Sequence, residues 1–256
     1  MNFNNTPVII KGPDGKKILV VIGEKNIDTH FGSIDTSKIK KLPTSLKSSI
    51  GQVVLLYEPS YSEFVLNMRR GAQIIYPKDV ASILLDGNIW LDSIVLEIGS
   101  GSGALTLALV LRTGENGYVY SIDNNVKNQT RAAKTISRYI NSKDLNRNNF
   151  EFIHTEVDDF TTNEIKRTIT HIVTDIPEPW MILTKLKIEV GGKWISYLPN
   201  ITQVQILNEA LISNGYTNIY IKEIIEREWK VKDKIVRPVH NMTGHTGFLV
   251  FADFLI

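Results

Sequence analysis

The chain has 256 residues, with 29 Lys and Arg against 27 Asp and Glu, so its net charge of +2 neither favours nor excludes a nucleic-acid partner. The absence of cysteine excludes disulfides and cysteine-ligated metal and fits a reducing cytoplasm. No apolar stretch approaches the length of a membrane span, and the polar start is unlike a signal peptide. We therefore expect a cytoplasmic protein with no membrane segment and no metal site.

Residues 1–62 are predicted to form a small β-rich domain. Short apolar runs at 8–10, 17–22 and 52–57 read as strands, and Gly-Pro-Asp-Gly at 12–15 predicts a hairpin turn. Eight lysines lie between positions 11 and 47, against four acidic residues. This basic surface is either simply solvated or faces RNA, and the residues leave both readings open.

The remainder, 63–256, alternates between strand and helix patterns. We predict helices over 62–70 and through 85, and then, in chain order, strand 94–98, helix 103–112, strand 118–122, helix 125–140, strands 150–154 and 170–174, helix 177–188, strand 192–196, helix 200–213, and strands around 218–229 and 246–254. Such alternation implies an α/β fold with a mostly parallel sheet covered on both faces. Ligands bind such sheets beyond the carboxyl ends of the strands.

A glycine-rich turn follows the first strand of this alternation. The segment 94–103, I-V-L-E-I-G-S-G-S-G, predicts a strand, a tight turn and a helix start whose free N–H groups face a ligand. Gly99, Gly101 and Ala104 loosely satisfy the dinucleotide fingerprint. Glu97, however, would repel a pyrophosphate and can hold the cationic amino-acid part of S-adenosyl-L-methionine (SAM). The turn therefore favours SAM, with a dinucleotide site or a structural turn as alternatives.

Acidic residues follow the next two strands. Asp123 is placed to accept the hydroxyls of an adenosine ribose, or else to cap the helix that follows. After the third strand, Glu156 aligns best with a contact to the cofactor adenine, and Asp158 is the alternative.

The fourth strand leads into D-I-P-E-P-W at 175–180. Pro177 and Pro179 restrict the backbone and hold Asp175 and Trp180 near the cofactor end of the sheet, an arrangement that suits a flipped nucleobase. Alternatively, the prolines begin a helix and Trp180 fills the core.

Together these motifs resemble the tRNA (adenine-N1)-methyltransferase family that modifies adenine 58 of the T loop, in its archaeal and bacterial branch. The resemblance rests on Y-P-K-D at 76–79, L-E-I-G-S-G-S-G-A-L-T at 96–106, D-I-P-E-P-W at 175–180, R-E-W at 227–229, R-P at 237–238 and G-H-T-G-F at 244–248. It covers the chain from about residue 55 onward. It implies a Rossmann-like class I SAM-dependent methyltransferase behind an N-terminal β domain, assembled as a homotetramer (a dimer of dimers) and acting on tRNA.

A set of site residues follows from the motifs and the resemblance. The predicted cofactor site comprises Glu97, Gly99, Ser100, Gly101, Ser102, Gly103, Ala104, Leu105, Asp123, Glu156 and Asp175. Asp175 is expected to accept a hydrogen bond from the adenine N6 group and so to stabilise the cation that forms on methylation. Tyr76 is the second predicted catalytic residue, and the predicted substrate site comprises Tyr76, Pro177, Trp180 and His245. Tyr76 could instead belong to the core, and His245 could be a structural histidine.

Two groups of cations are candidates for phosphate contacts. They are Arg69 with Arg70, and a C-terminal cluster of Arg227, Lys230, Lys232, Lys234 and Arg237. Acidic residues are interleaved with the second group, so ordinary surface ion pairing is an alternative. The competing functions are a non-catalytic tRNA-binding subunit and a SAM enzyme acting on a small molecule. The residues do not say whether adenine 57 is modified together with adenine 58.

Overall fold

The computed structural model describes residues 3–23, 26–69, 71–145 and 148–256. Its N-terminal part is the predicted small β domain, with a four-stranded antiparallel sheet in the order β2-β1-β6-β5 and a separate β3-β4 pair. The strands are β1 (Pro7–Lys11), β2 (Lys17–Val21), β3 (Ile27–Thr29), β4 (Gly32–Ile34), β5 (Thr44–Lys47) and β6 (Val53–Tyr57). Alternate residues such as Val54 and Leu56 point inward and form this domain's own apolar core with Ile10 and Ile34.

The rest of the chain forms a seven-stranded sheet with helices on both faces. Its strands are β7 (Ile94–Ile98), β8 (Tyr118–Asp123), β9 (Phe150–His154), β10 (His171–Thr174), β11 (Gly192–Leu198), β12 (Tyr216–Glu223) and β15 (Phe248–Phe254), and its helices are α1 (Tyr61–Asn67), α2 (Pro77–Asp86), α3 (Ala104–Thr113), α4 (Val126–Ser142) and α5 (Ile201–Ser213). The strand order is β12-β15-β11-β10-β7-β8-β9. The five strands from β11 to β9 are parallel, and β15 runs antiparallel to both of its neighbours. The predicted α/β class is confirmed.

Alternation along β7 explains why both faces of the sheet are covered. Val95 packs into a core built with α2, α3 and α4, whereas Leu96 belongs to a second core that includes Leu207 of α5. A central parallel strand therefore carries apolar residues on both faces, and in β7 Glu97 is the exception.

Two predicted elements differ from the structure. The helix expected over 177–188 is a short 3₁₀ segment, Pro179–Lys185, because closely spaced prolines remove backbone donors and restrict the residues before them. The strand expected over 218–229 is divided: β12 ends at Glu223, where its partner β15 begins at Phe248. The chain then enters a two-stranded ribbon, β13 (Trp229–Lys232) and β14 (Ile235–Pro238).

Within the described residues, the helices include none that is long and apolar enough to cross a membrane. The same part of the chain shows no cluster of three or more His, Asp or Glu side chains that could hold a metal ion.

Candidate active site

A cavity of about 570 Å³ lies at the carboxyl ends of the parallel strands β7, β8, β9 and β10. Five of its lining residues carry carboxylates, namely Asp123, Glu156, Asp158, Asp175 and Glu178. Four parallel strands end at the same edge of the sheet, so the acids that follow them in sequence meet in space. The cavity is therefore strongly acidic.

The glycine turn forms one wall of this cavity and needs its glycines for different reasons. Gly99 has φ +98°, and a Cβ atom there would lie only 2.5 Å from the carbonyl oxygen of Asp175. Gly101 has φ +50°, and a Cβ there would meet nothing closer than Ala72 at 3.9 Å. Gly99 thus permits close packing of two strand ends, while Gly101 lies in the cavity wall.

Asp123 is held by the backbone around it. Its Oδ2 accepts the Gly101 N–H and its Oδ1 accepts the Asn125 N–H, both at 2.8 Å. The cap of α4 is Asn125, whose side chain accepts the N–H groups of Lys127 and Asn128. The helix-cap alternative for Asp123 is therefore wrong, and its carboxylate faces the cavity from a fixed position.

The two candidates after β9 have different environments. Asp158 forms an ion pair with Lys185 at 2.9 Å. Glu156 accepts a hydrogen bond from Asn124 Nδ2 at 3.0 Å, and both of those residues line the cavity. The lysine neutralises Asp158, so this geometry favours Glu156 as the acid available to a ligand.

Asp175 begins the loop after β10 and opens into the cavity. Its N–H donates to the Ile98 carbonyl at 2.8 Å, which joins the loop to β7. The carboxyl group is accessible from the cavity yet surrounded by protein, and this partial burial, followed by the charge of Asp123, raises its pKa to about 6. Gln203 of α5 donates to the Pro177 carbonyl at 2.9 Å and holds the same loop from the other side.

The structure places Glu97 beneath the cavity, outside its lining. Glu97 is 0% exposed, and Thr106 and Ser121 both donate to its Oε2. Its Oε1 is buried without a hydrogen-bond partner among the described residues. Burial raises the pKa of Glu97 to about 8. Glu97 therefore joins β7, β8 and α3 from below, and this geometry favours a supporting role over the predicted contact with the cationic amino-acid part of SAM.

Other predicted cofactor residues also lie outside the cavity lining, and the reason is the direction of the first turn of α3. They are Ser100, Ser102, Gly103, Ala104 and Leu105. Ser100 bonds to Ser121, and Ala104 and Leu105 point into the core. The structure thus brings Gly99, Gly101, Asp123, Glu156 and Asp175 together around the cavity.

Tyr76 lines a second cavity, of about 410 Å³, and is absent from the lining of the first. It precedes Pro77 at the start of α2 and is 37% exposed, so it is not a core residue. Lys78, Arg227 and Thr246 also line this second cavity. Tyr197 lies close to both sites: burial raises its pKa to about 12, and the charges of Asp79 and Asp175 both contribute to the rise.

A cluster of hydrogen-bonded polar side chains connects α2 with the segment before β15. Lys78 Nζ donates to both Asp79 oxygens at 2.8 and 3.0 Å and to Thr246 Oγ1 at 2.5 Å. Thr246 Oγ1 donates in turn to Asp79 Oδ2 at 2.7 Å, and Tyr197 donates to the Thr246 carbonyl. Lys78 and Thr246 line the second cavity and Asp79 holds them there, and none of the three was singled out from the sequence, although Y-P-K-D and G-H-T-G-F contain all of them.

The other predicted substrate residues are dispersed. Pro177 lines the first cavity, whereas Trp180 packs against the core beneath its loop. His245 lines neither cavity, because its Nδ1 lies 2.6 Å from Glu223 Oε1 and its Nε2 lies 2.8 Å from the Pro199 carbonyl. The hydrogen bond to Glu223 raises the pKa of His245. These contacts tether His245 to the ends of two strands, and they favour the structural alternative.

The predicted basic groups lie apart from one another. Arg227 faces the second cavity, and the rest of the C-terminal cluster lies on or beside the β13-β14 ribbon. Arg69 lines a cleft of about 430 Å³ beside the N-terminal domain. Arg70 lies outside the described residues.

The fold and the acidic cavity at the strand ends define a class I SAM-dependent methyltransferase. A SAM-dependent O-methyltransferase from Thermotoga maritima superposes with a TM-score of 0.89 at 23% identity, over 100% of this chain and 95% of that one, which shows the shared fold. Residues 53–237 match the family described as tRNA methyltransferase complex GCD14 subunit, and this chain belongs to that family.

Three relatives illustrate the match. The chain is 30% identical to the tRNA (adenine(57)-N(1)/adenine(58)-N(1))-methyltransferase TrmI of Methanocaldococcus jannaschii, over 93% of this chain and 91% of that protein. It is 27% identical to the tRNA (adenine(58)-N(1))-methyltransferase TrmI of Thermus thermophilus, over 95% of each. The crystal structure of the tRNA (m1A58) methyltransferase TrmI from Aquifex aeolicus superposes with a TM-score of 0.80 at 27% identity, over 100% of this chain and 99% of that one.

Proposed function

We propose that this protein transfers the methyl group of SAM to N1 of adenine 58 in tRNA. The observation that carries the proposal is the position of Asp175, which lines the acidic cavity directly after β10. Tyr197 links it to the cavity that contains Tyr76, because Asp175 and Tyr76 both act electrostatically on the Tyr197 hydroxyl. Relatives that cover almost the whole chain carry this activity in their names, which supports it.

The first cavity fits SAM better than a dinucleotide. Its volume lies within the range of roughly 300–1,000 Å³ that is usual for small-molecule sites. Asp158 is paired with Lys185, and the four other carboxylates of the lining favour a ligand with sulfonium and ammonium cations and disfavour a pyrophosphate. We assign the ribose hydroxyls to Asp123 and the cofactor adenine to Glu156. Bound in this cavity, SAM supplies an electrophilic methyl group.

Methyl transfer requires the protein to position the two reactants and to stabilise the positive charge that develops on the adenine. Adenine N1 carries a lone pair at neutral pH, so direct in-line transfer needs no strong base. As the methyl group is accepted, the adenine becomes cationic, and Asp175 accepts a hydrogen bond from its N6 group and stabilises the charge. Above its pKa of about 6 the Asp175 carboxyl group is ionised, which this role requires. Loss of one such group typically lowers turnover by roughly 10²–10³.

Tyr76 supplies a stacking surface for the target base from the second cavity. Stacking of a base on an aromatic ring contributes about 1–3 kcal/mol. The backbone of Tyr76 is extended and precedes a proline, which restricts the backbone that carries the ring at the start of α2.

Glu97 supports the cofactor turn from below in this proposal. It joins Ser121 of β8 to Thr106 of α3, which fixes the glycine turn between them. At neutral pH, with its pKa raised to about 8, the side chain is mostly uncharged. We therefore assign Glu97 a positioning role in place of the direct cofactor contact predicted from the sequence.

We further propose that the chain assembles as a homotetramer. The β13-β14 ribbon exposes Trp229, Val231 and Val236, at 60, 71 and 66%. Apolar side chains clustered on a small ribbon are typical of an interface. Native mass spectrometry measures the assembly directly, and a monomer at micromolar concentration would refute this part of the proposal.

The decisive test of the function is mass-spectrometric mapping of methyladenosine in an unmodified tRNA transcript after reaction with SAM and the purified chain. We expect N1-methyladenosine at position 58, and none at that position when the transcript carries uridine there. The same map shows separately whether adenine 57 is methylated. Asp175→Ala should keep SAM affinity and lose most single-turnover methylation. Near-normal methylation by Asp175→Ala would refute the assigned role.

The same preparation separates the alternatives. Absence of SAM binding in calorimetry would indicate a non-catalytic tRNA-binding subunit. Labelling of a metabolite pool, with no label in tRNA, would indicate a small-molecule methyltransferase.

A further inference from the structure

Helix α4 carries four cations on one face. Lys127, Arg131, Lys134 and Arg138 are spaced i, i+4, i+7 and i+11, which places them within an arc of about 60° and spreads them over ~16 Å. No acidic residue occurs between positions 124 and 143. The first three side chains are exposed and Arg138 is half-buried. We name this set the α4 stripe.

Helix stability does not account for the stripe. Like charges three or four residues apart destabilise a helix by about 0.2–0.5 kcal/mol per pair. Lys127 also lies in the first turn of the helix, where the helix dipole disfavours cations. The opposite face, with Ala132 and Ile136, already packs into the core. The repulsion between the cations of the stripe is therefore not explained by the stability of the helix, and a partner of opposite charge would relieve it.

The stripe begins at the cofactor cavity. Asn124 and Asn128, on either side of Lys127, line that cavity. A Cβ atom at Gly71 would lie 2.6 Å from Arg131 Nη1, so the guanidinium packs against the loop whose next residue, Ala72, is part of the cavity wall.

The stripe ends at the N-terminal β domain. The Arg138 Nε–H donates to Asn5 Oδ1 at 3.0 Å. Arg138 also lines, with Arg69, the cleft between α1, α4 and strand β2. A continuous row of positive charge thus leads from the cofactor cavity to the N-terminal domain.

We propose that the α4 stripe is a docking track for the phosphodiester backbone of the tRNA substrate. The proposal rests on the proposed function. Charge complementarity identifies the partner: four cations without an interleaved acid match a polyanion, and phosphate contacts position a nucleic acid without reading its sequence. The ribbon cluster is a weaker candidate, because Glu226, Glu228 and Asp233 are interleaved with its cations.

The test measures how tRNA affinity depends on salt. The variants are Lys127→Gln, Arg131→Gln and Lys134→Gln, singly and combined, because Gln keeps the helix propensity of Lys and Arg. Arg138 is left unchanged, since its side chain also bonds to Asn5. Lys187→Gln is the matched control: Lys187 is exposed and precedes β11, at the edge of the sheet opposite the cavity.

We expect each stripe variant to lower the slope of log K against log salt by about one unit and the triple variant by about three, with Lys187→Gln unchanged. SAM affinity should be unchanged in all of them. The triple variant should raise KM for tRNA and keep kcat at saturating tRNA, because lost phosphate contacts weaken ground state and transition state alike.

A triple variant with the wild-type slope, or a control that lowers the slope equally, would overturn the proposal. Binding of tRNA is measured without methyl transfer, so the two proposals can fail separately. If the wild-type chain binds tRNA through the stripe but forms no methyladenosine, the proposed function is refuted and the docking proposal is supported.

Discussion

The packing of Gly99 against the loop of Asp175 gives a prediction whose size follows from the structure. In Gly99→Ala, the new Cβ would lie 2.5 Å from the Asp175 carbonyl oxygen, whereas ordinary contact begins near 3.4 Å. Neither β7 nor β10 can yield easily, because both are central, buried strands. The Asp175 backbone must therefore shift by about 0.9 Å, the difference between these two distances.

A displacement of about 1 Å at a reacting group can lower the rate roughly 10²-fold. We therefore expect Gly99→Ala to reduce single-turnover methyl transfer by about that factor. The left-handed backbone at Gly99 adds about 1–2 kcal/mol of strain, which lowers stability as well. Single-turnover methylation of a tRNA transcript measures the first effect, and urea unfolding measures the second.

Gly215→Ala separates strain from displacement. Gly215 has φ +81°, similar to Gly99, but a Cβ there would have no atom within 4 Å. It should lose similar stability and keep full activity. If Gly99→Ala methylates tRNA within threefold of the wild-type rate, the argument that this glycine positions Asp175 is refuted.

Three further predictions concern the same sites. Burial raises the pKa of Glu97 from 4.5 to about 8, so between these pH values the folded state holds a proton that the unfolded state has lost. The free energy of unfolding should therefore fall by roughly 4 kcal/mol as pH rises from 4.5 to 8. In urea unfolding, Glu97→Gln should flatten this dependence, and a wild-type free energy that rises with pH would contradict the argument. Thr246→Val should lower the free energy of unfolding by about 1–3 kcal/mol, because the buried Asp79 and Lys78 lose the hydroxyl that they share. Thr246→Ser keeps a hydroxyl and should restore the stability. Equal unfolding midpoints for the two variants would contradict the role given to the hydroxyl. With the Asp175 pKa raised to about 6, the single-turnover rate of methyl transfer should fall about tenfold from pH 7 to pH 5 as the carboxylate is protonated, while SAM affinity stays unchanged. The residual rate of Asp175→Asn should show little such change, and a steep dependence in that variant would point to another acid.

Local patterns determined the class of fold and the edge of the sheet at which to look for the site. Alternating strand and helix periodicities predict a parallel sheet, and a parallel sheet brings its carboxyl strand ends together, so Asp123, Glu156 and Asp175 meet as expected. The resemblance of the motifs added the substrate class, which the cofactor turn does not specify.

Only the tertiary structure decided which face each side chain occupies and which distant residues meet. Glu97 shares the face of Val95 on β7, so it points beneath α3 and is enclosed by Thr106 and Ser121. The sequence motif alone does not specify this environment. Thr246 reaches Asp79 across 167 positions of sequence. Such contacts depend on how β15 and α2 pack onto the sheet, and that packing is a property of the whole chain rather than of any local pattern.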